Sequence, residues 1–120
     1  MTVYGHEIIQ ELASFLTGDE LIVGSNGNIS RQVYHYLRQP QVYLRGSMGL
    51  PVSVGLGLSL ARPERRVLVI LGDGNLLMGL SSLVTASFAR SENLRILILD
   101  NQAYATPGRQ KTTSGVLRYP

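Results

Sequence analysis

Four short apolar runs alternate along the chain with segments whose apolar residues recur at helical spacing. Continuous runs of Val, Ile and Leu are typical of parallel strands, which are buried on both faces. A polar or glycine-rich turn follows each run. The four predicted strands cover residues 21–23, 41–44, 67–71 and 94–99.

The segments between these runs predict helices, because their apolar residues recur every three or four positions. The four predicted helices cover residues 8–16, 30–37, 49–61 and 76–90. Pro51 is tolerated in the first turn of the third helix. Gly55 and Gly57 weaken that helix by about 1 kcal/mol each relative to alanine, so we expect close packing there.

The alternation of helices and strands predicts an α/β fold, a three-layer α/β/α sandwich with a parallel sheet. A chain of 120 residues provides one domain, so we expect residues 1–120 to form a single domain. In such sheets ligands bind beyond the carboxyl ends of the strands. The turns at those ends are residues 25–28, 46–49, 72–75 and 100–102.

Composition excludes several classes of function. The absence of cysteine excludes a disulfide scaffold, a thiolate zinc site and a cysteine nucleophile. Eleven basic residues against eight acidic ones are scattered, which fits a small anionic ligand better than nucleic acid. The longest charge-free stretch, residues 46–61, is shorter than the roughly 20 residues that span a bilayer. We therefore expect a soluble, cytoplasmic protein.

Two strand-end turns carry oxygen ligands suited to a cation. Asp73 lies between two glycines after the third strand, and Asp100 and Asn101 follow the fourth. Because the two strands are parallel neighbours in the predicted sheet, these residues should emerge at the same edge. Carboxylate and amide oxygens suit magnesium, which is commonly shared with substrate phosphates. Taken alone, an ordinary turn with an Asp or Asn N-cap explains residues 72–75 equally well.

Together these turns resemble the diphosphate–magnesium motif of thiamine diphosphate enzymes, a Gly-Asp-Gly followed by Asn-Asn. Here 25 residues separate Gly74 from Asp100, a fitting spacer. The turn at 46–49 resembles the pyrimidine-contacting turn of the same enzymes. Residues 100–110 are most similar to sulfopyruvate and phosphonopyruvate decarboxylases, where Asp replaces the first Asn, as Asp100 does here. The resemblance covers residues 21–113.

The resemblance implies a role for each matching residue. The implied magnesium ligands are Asp73, the Asn101 side chain and the Ala103 carbonyl. The implied contacts to thiamine diphosphate are Gly46, Ser47, Met48, Gly72, Gly74, Asn75, Asn101 and Tyr104. Arg109 and Gln110, in a polar, basic loop, are candidates for contact with an anionic substrate group, whereas a solvated loop arginine is the simpler interpretation of Arg109.

Two candidate cofactor contacts, Met48 and the turn at residues 25–28 toward the diphosphate, compete with simpler interpretations of the residues. Met48 would wedge the cofactor into its bent form, but by burial tendencies alone core packing is the better-supported reading. Turn chemistry alone is enough to explain residues 25–28.

The resemblance implies only half of an active site. In the family, a glutamate on a separate pyrimidine-binding domain activates the cofactor, and none of the glutamates here matches it, so no catalytic residue is expected in this chain. The implied function is the diphosphate-binding subunit of a heteromeric 2-oxoacid decarboxylase, completed by a pyrimidine-binding partner subunit. Alternatives are a carboligase or acyl-transferring thiamine enzyme, and a non-catalytic scaffold subunit.

Overall fold

The computed structural model describes residues 2–103 and 110–116. Their element order is α1 (Gly5–Leu12), β1 (Leu21–Gly24), α2 (Asn28–Tyr36), β2 (Gln41–Tyr43), α3 (Pro51–Ala61), β3 (Val67–Gly72), α4 (Asp73–Met78), α5 (Ser81–Ala89), β4 (Leu94–Leu99) and a 3-10 turn (Ser114–Val116). The predicted α/β fold is confirmed. In this part of the chain no helix is long and apolar enough to cross a membrane.

The four strands form one parallel sheet in the order β2-β1-β3-β4. The chain leaves β1 toward β2 on one side and later returns to β3 on the other, which creates a crevice at the carboxyl edge between β1 and β3. In the register, Gly24 lies opposite Ile70, and Gly72 lies opposite Leu99. The turns after β1, β3 and β4 therefore meet at one edge.

Both faces of the sheet are buried, as the continuous apolar runs predict. Successive residues of β3 point to opposite faces. One face of β3, formed by Val67, Val69 and Leu71, packs against α3 and α5. On the other face, Ile70 packs against Ile9 of α1 and against residues of α2. The helices thus form a layer on each side of the central strands.

Close packing explains one of the two glycines inside α3. A Cβ atom at Gly55 would lie 2.1 Å from Cγ2 of Val69, so only glycine lets the helix approach β3 at this distance. The same expectation is wrong for Gly57, where a Cβ atom would point into open space.

The helix predicted over residues 76–90 is wrong in its extent, because two helices, α4 and α5, occupy this region. The chain bends at Gly79, whose backbone lies against that of Gly49. A Cβ atom at Gly79 would lie 1.9 Å from the Gly49 carbonyl oxygen. The first helix likewise ends at Leu12, earlier than its apolar spacing predicts.

Candidate functional site

A cavity of about 560 Å³ opens at the carboxyl edge of the sheet. Its walls come from the turns after β1, β3 and β4, from Met48, and from residues at the start of α1 and α2. The position matches the crevice between β1 and β3, where α/β sheets bind ligands. The contribution of α1, through Gly5 and Ile8, was not predicted from the sequence.

The three residues predicted to hold magnesium all line this cavity. Asp73 begins α4 directly after β3, and Asn101 and Ala103 follow the neighbouring β4. The Asn101 side-chain oxygen accepts a hydrogen bond from the backbone N–H of Ala103, at 3.1 Å, which fixes its orientation. The parallel register of β3 and β4 thus brings these three residues to the same wall.

The Asp73 carboxylate is more enclosed than a strand-end position suggests. Only 1% of Asp73 is exposed. The Ser114 hydroxyl donates to its Oδ2 at 2.9 Å, and the Thr112 hydroxyl donates to the same oxygen. Sequence reasoning missed both hydroxyl residues, since residues 106–120 show little periodicity.

Asn75 joins three loops around the cavity. Its side-chain oxygen accepts a hydrogen bond from the backbone N–H of Gly49 at 2.7 Å, and its amide donates to Oδ1 of Asn26. The sequence analysis assigns Asn75 to the cofactor diphosphate. In the structure its side chain is engaged by the neighbouring loops, and one N–H of its amide has no hydrogen bond to the described residues.

The turn after β2 brings Met48 to the cavity. Met48 lines the wall and is 37% exposed, so the reading of Met48 as a core residue is wrong. Gly46 precedes it with a φ of 71°, in the left-handed region that favours glycine. The turn is closed by a hydrogen bond from the Leu50 backbone N–H to the Ser47 backbone carbonyl. Gly46 and Ser47 belong to this turn but lie outside the wall of the cavity.

Ser25, at the end of β1, carries a buried hydroxyl that has no hydrogen-bond partner among the described residues. It lines the cavity together with Asn26. Leaving a buried hydroxyl unpaired costs free energy, so it is a group available to a polar ligand. Beyond its place in the turn, Asn26 accepts a hydrogen bond from the Asn75 amide.

The remaining predicted residues are placed as follows. Gly72 and Gly74 line the cavity beside Asp73. Gln110 is exposed and lies outside the wall. Tyr104 and Arg109 lie outside the described residues. Arg31, which the sequence analysis did not single out, supplies the cationic side chain among the described residues of the wall.

Comparisons with known proteins match this arrangement. The family model of the thiamine pyrophosphate enzyme C-terminal TPP binding domain matches residues 23–119. Over 112 residues the chain is 45% identical to sulfopyruvate decarboxylase subunit beta of Methanothermobacter thermautotrophicus, covering 92% of this chain and 60% of the relative. Over 113 residues it is 37% identical to phosphonopyruvate decarboxylase of Streptomyces viridochromogenes, covering 93% of this chain and 28% of the relative.

A solved structure of 2-oxoglutarate:ferredoxin oxidoreductase from Magnetococcus marinus superposes with a TM-score of 0.75 at 21% identity. The match covers 93% of this chain and 41% of that chain. This likeness supports the fold alone. The chain spans about 60% of the length of the sulfopyruvate decarboxylase beta subunits that it matches.

Proposed function

We infer a function from the family to which the chain belongs: it is a member of the thiamine pyrophosphate enzymes, matched through their C-terminal TPP binding domain. We propose that residues 1–120 form one such domain. Its function is to bind the diphosphate of thiamine diphosphate, with magnesium, in a heteromeric 2-oxoacid decarboxylase of the sulfopyruvate or phosphonopyruvate type. The relatives that bear those names support this assignment.

The observation that carries the proposal is the convergence of Asp73, Asn101 and Ala103 on one cavity. Among the described residues no three His, Cys, Asp or Glu side chains cluster. A cation here would therefore be held by at most the two carboxylates of the wall, Asp73 and Asp100, together with neutral oxygens. That donor set suits magnesium that shares a ligand phosphate, because magnesium keeps few protein carboxylates and completes its shell with phosphate oxygens and water.

The rest of the wall fits a diphosphate group. Ser25 offers a buried hydroxyl without a partner, and Arg31 offers a guanidinium. Both are suited to phosphate oxygens, the guanidinium through paired N–H donors. Gly74 lines the cavity without a side chain, which leaves room for the diphosphate to approach the backbone.

Thiamine diphosphate, when bound, supplies the nucleophilic carbon and the electron sink that decarboxylation requires. This chain's residues bind and orient it. Met48 would press on the cofactor between its two rings, a task that suits a large, apolar and adaptable side chain. Its partial exposure in the cavity wall supports this role over core packing.

A partner subunit would complete the site. The carboxylates in the described cavity wall are Asp73 and Asp100, and no glutamate lies there. We propose that a pyrimidine-binding partner subunit supplies the glutamate that activates the cofactor. The outer surface of α5 supports subunit contact, since Val84 is 72% and Phe88 is 88% exposed. The names of the beta-subunit relatives support the same conclusion.

For the substrate we propose a small 2-oxoacid with a second anionic group, met by Arg109 and Gln110. Arg109→Ala is expected to raise KM for such a substrate more than KM for pyruvate.

Product analysis with and without an added aldehyde or second oxoacid separates decarboxylation from the carboligase and acyl-transfer alternatives. A complex that binds the cofactor and turns over no oxoacid would indicate a scaffold subunit.

The cofactor assignment is tested by calorimetry of thiamine diphosphate and magnesium on the chain co-purified with its partner. Asp73→Asn keeps the volume of the buried side chain but removes its charge, and it is expected to abolish magnesium-dependent cofactor binding. Asp19→Asn, an exposed aspartate far from the cavity, is the matched control. Unchanged affinity in Asp73→Asn would overturn the assignment.

A further inference from the structure

The segment at residues 110–116 packs against the Asp73 carboxylate. The hydroxyls of Thr112 and Ser114 both reach Oδ2 of Asp73 and lie 2.9 Å from each other. Ser114 is 1% exposed. Within residues 2–103 and 110–116 no hydrogen bond to Oδ1 of Asp73 is present. One carboxylate oxygen is thus fixed, and the other is left for a ligand.

The same segment is tied to the loop that carries the other two oxygen ligands. The Thr112 backbone N–H donates to the Gln102 carbonyl at 2.9 Å, and Ala103 forms an antiparallel bridge with Lys111. Gln102 has a φ of 58°, in the left-handed region that non-glycine residues seldom adopt. Together with this left-handed backbone, the hydrogen bond to Gln102 and the bridge to Lys111 fix the positions of Asn101 and Ala103 relative to Asp73.

Two hydroxyl groups, those of Thr112 and Ser114, are the donors to two neighbouring carboxylates, Asp73 and Asp100. A serine hydroxyl carries one proton. The Ser114 oxygen lies 2.9 Å both from Asp73 Oδ2 and from Asp100 Oδ1, so its one proton serves only one of the two carboxylates at a time. Their oxygens lie within about 6 Å of each other, where like charges repel. A cation beside Asp73 would relieve this repulsion.

We propose that Thr112 and Ser114 are positioning residues for the magnesium site. Their hydroxyls hold Asp73 by Oδ2, direct Oδ1 toward the cation, and couple the carboxylate to Asp100 and to the 101–103 loop. The proposal rests on the proposed function, because it assigns a role toward the same cation. It adds two residues that lie outside the described wall of the cavity.

The test measures manganese binding, with Mn²⁺ as a paramagnetic probe of the magnesium site. The chain, assembled with its partner subunit and saturated with thiamine diphosphate, is titrated with Mn²⁺ and followed by electron paramagnetic resonance. Thr112→Val and Ser114→Ala are each expected to weaken Mn²⁺ binding about ten-fold or more, the usual effect of removing an outer partner of a metal ligand. Thr113→Val, an exposed neighbour, is the matched control and should leave the affinity unchanged.

Two further variants separate positioning from general loss of structure. Thr112→Ser keeps the hydroxyl and is expected to restore both the affinity and the spectrum of bound Mn²⁺. Unchanged Mn²⁺ affinity in Thr112→Val and Ser114→Ala, alongside loss of binding in Asp73→Asn, would overturn this proposal and leave the proposed function intact. Retained Mn²⁺ binding in Asp73→Asn would overturn the proposed function itself.

Discussion

The side-chain oxygen of Asn75 accepts a hydrogen bond from the backbone N–H of Gly49, 2.7 Å away, across 26 positions of sequence. Gly49 directly follows Met48, so this contact helps to position the Met48 backbone at the cavity wall. The amide of Asn75 also donates to Asn26 in the turn after β1. One buried side chain therefore fixes the relative positions of three loops.

Asn75→Ala is expected to lower the free energy of unfolding by about 1–3 kcal/mol, because it leaves a buried backbone donor and a partly buried amide oxygen without partners. Urea denaturation of the assembled protein measures the change. Asn28→Ala, an exposed asparagine, is the control and should change stability by less than about 0.5 kcal/mol. Equal stabilities for the two variants would contradict the loop-joining role of Asn75.

Within α3, Gly55 and Gly57 should respond to alanine in opposite directions. Gly55→Ala places a Cβ atom against Val69 and is expected to destabilise the fold by about 1–3 kcal/mol. Gly57→Ala meets open space and should stabilise the helix by up to about 1 kcal/mol. Thermal unfolding of the two variants measures both effects. A stabilised Gly55→Ala variant would contradict the close approach of α3 to β3.

Glu20 is expected to make stability depend on pH. Burial alone would raise the pKa of this carboxyl, but hydrogen bonds from Thr17 and Gly18 outweigh burial and lower the pKa below its ordinary value of 4.5. A lowered folded-state pKa stabilises the fold above about pH 4.5, and this stabilisation is lost as the pH falls through the lowered pKa.

Glu20→Gln should therefore cost about 1–3 kcal/mol at pH 7. The difference in the free energy of unfolding between this variant and the unmodified protein should shrink steadily below pH 4.5. Unfolding curves at several pH values measure this dependence. Glu64→Gln provides the control, because Glu64 and its ion-pair partner Arg62 are both exposed and screened by solvent. A constant difference for Glu20→Gln across the pH range would contradict the lowered pKa.

Met48→Ala is expected to weaken thiamine diphosphate binding about ten-fold, which corresponds to the loss of about 1.4 kcal/mol of apolar contact. Because Met48 is partly exposed, unfolding should change little. Calorimetry on the assembled protein measures the affinity. Met48→Leu should retain most of it, and Met78→Ala, an exposed methionine outside the cavity wall, is the control. Equal affinities for Met48→Ala and Met78→Ala would remove Met48 from the site.

Sequence reasoning succeeded where one local pattern determines the structure. The run at 67–71 predicts a buried parallel strand because both of its faces are apolar, and β3 is that strand. Asp73 and Asn101 were predicted to meet because neighbouring parallel strands end at the same edge, and both line the cavity. These inferences need only periodicity and the geometry of a parallel sheet.

Contacts between distant positions escaped prediction. Thr112 meets Asp73 across 39 positions, and nothing in the local spacing of either residue signals the pairing. The bend at Gly79 also depends on a backbone contact with Gly49, whereas helical periodicity continues through the sequence. Ser25 resembles any turn serine until the fold leaves its hydroxyl buried and unpaired.

Because the backbones of Gly79 and Gly49 are in contact, a substitution in one of these two turns affects which substitutions the other turn tolerates. A side chain at Gly79 would require the Gly49 carbonyl to move, while Asn75 holds the N–H of the same residue. The effects of substitutions at Gly79 and Asn75 should therefore be non-additive, with a coupling energy of about 0.5–3 kcal/mol in a double-mutant cycle. Epistasis of this kind would confine evolutionary drift in these turns to paired changes.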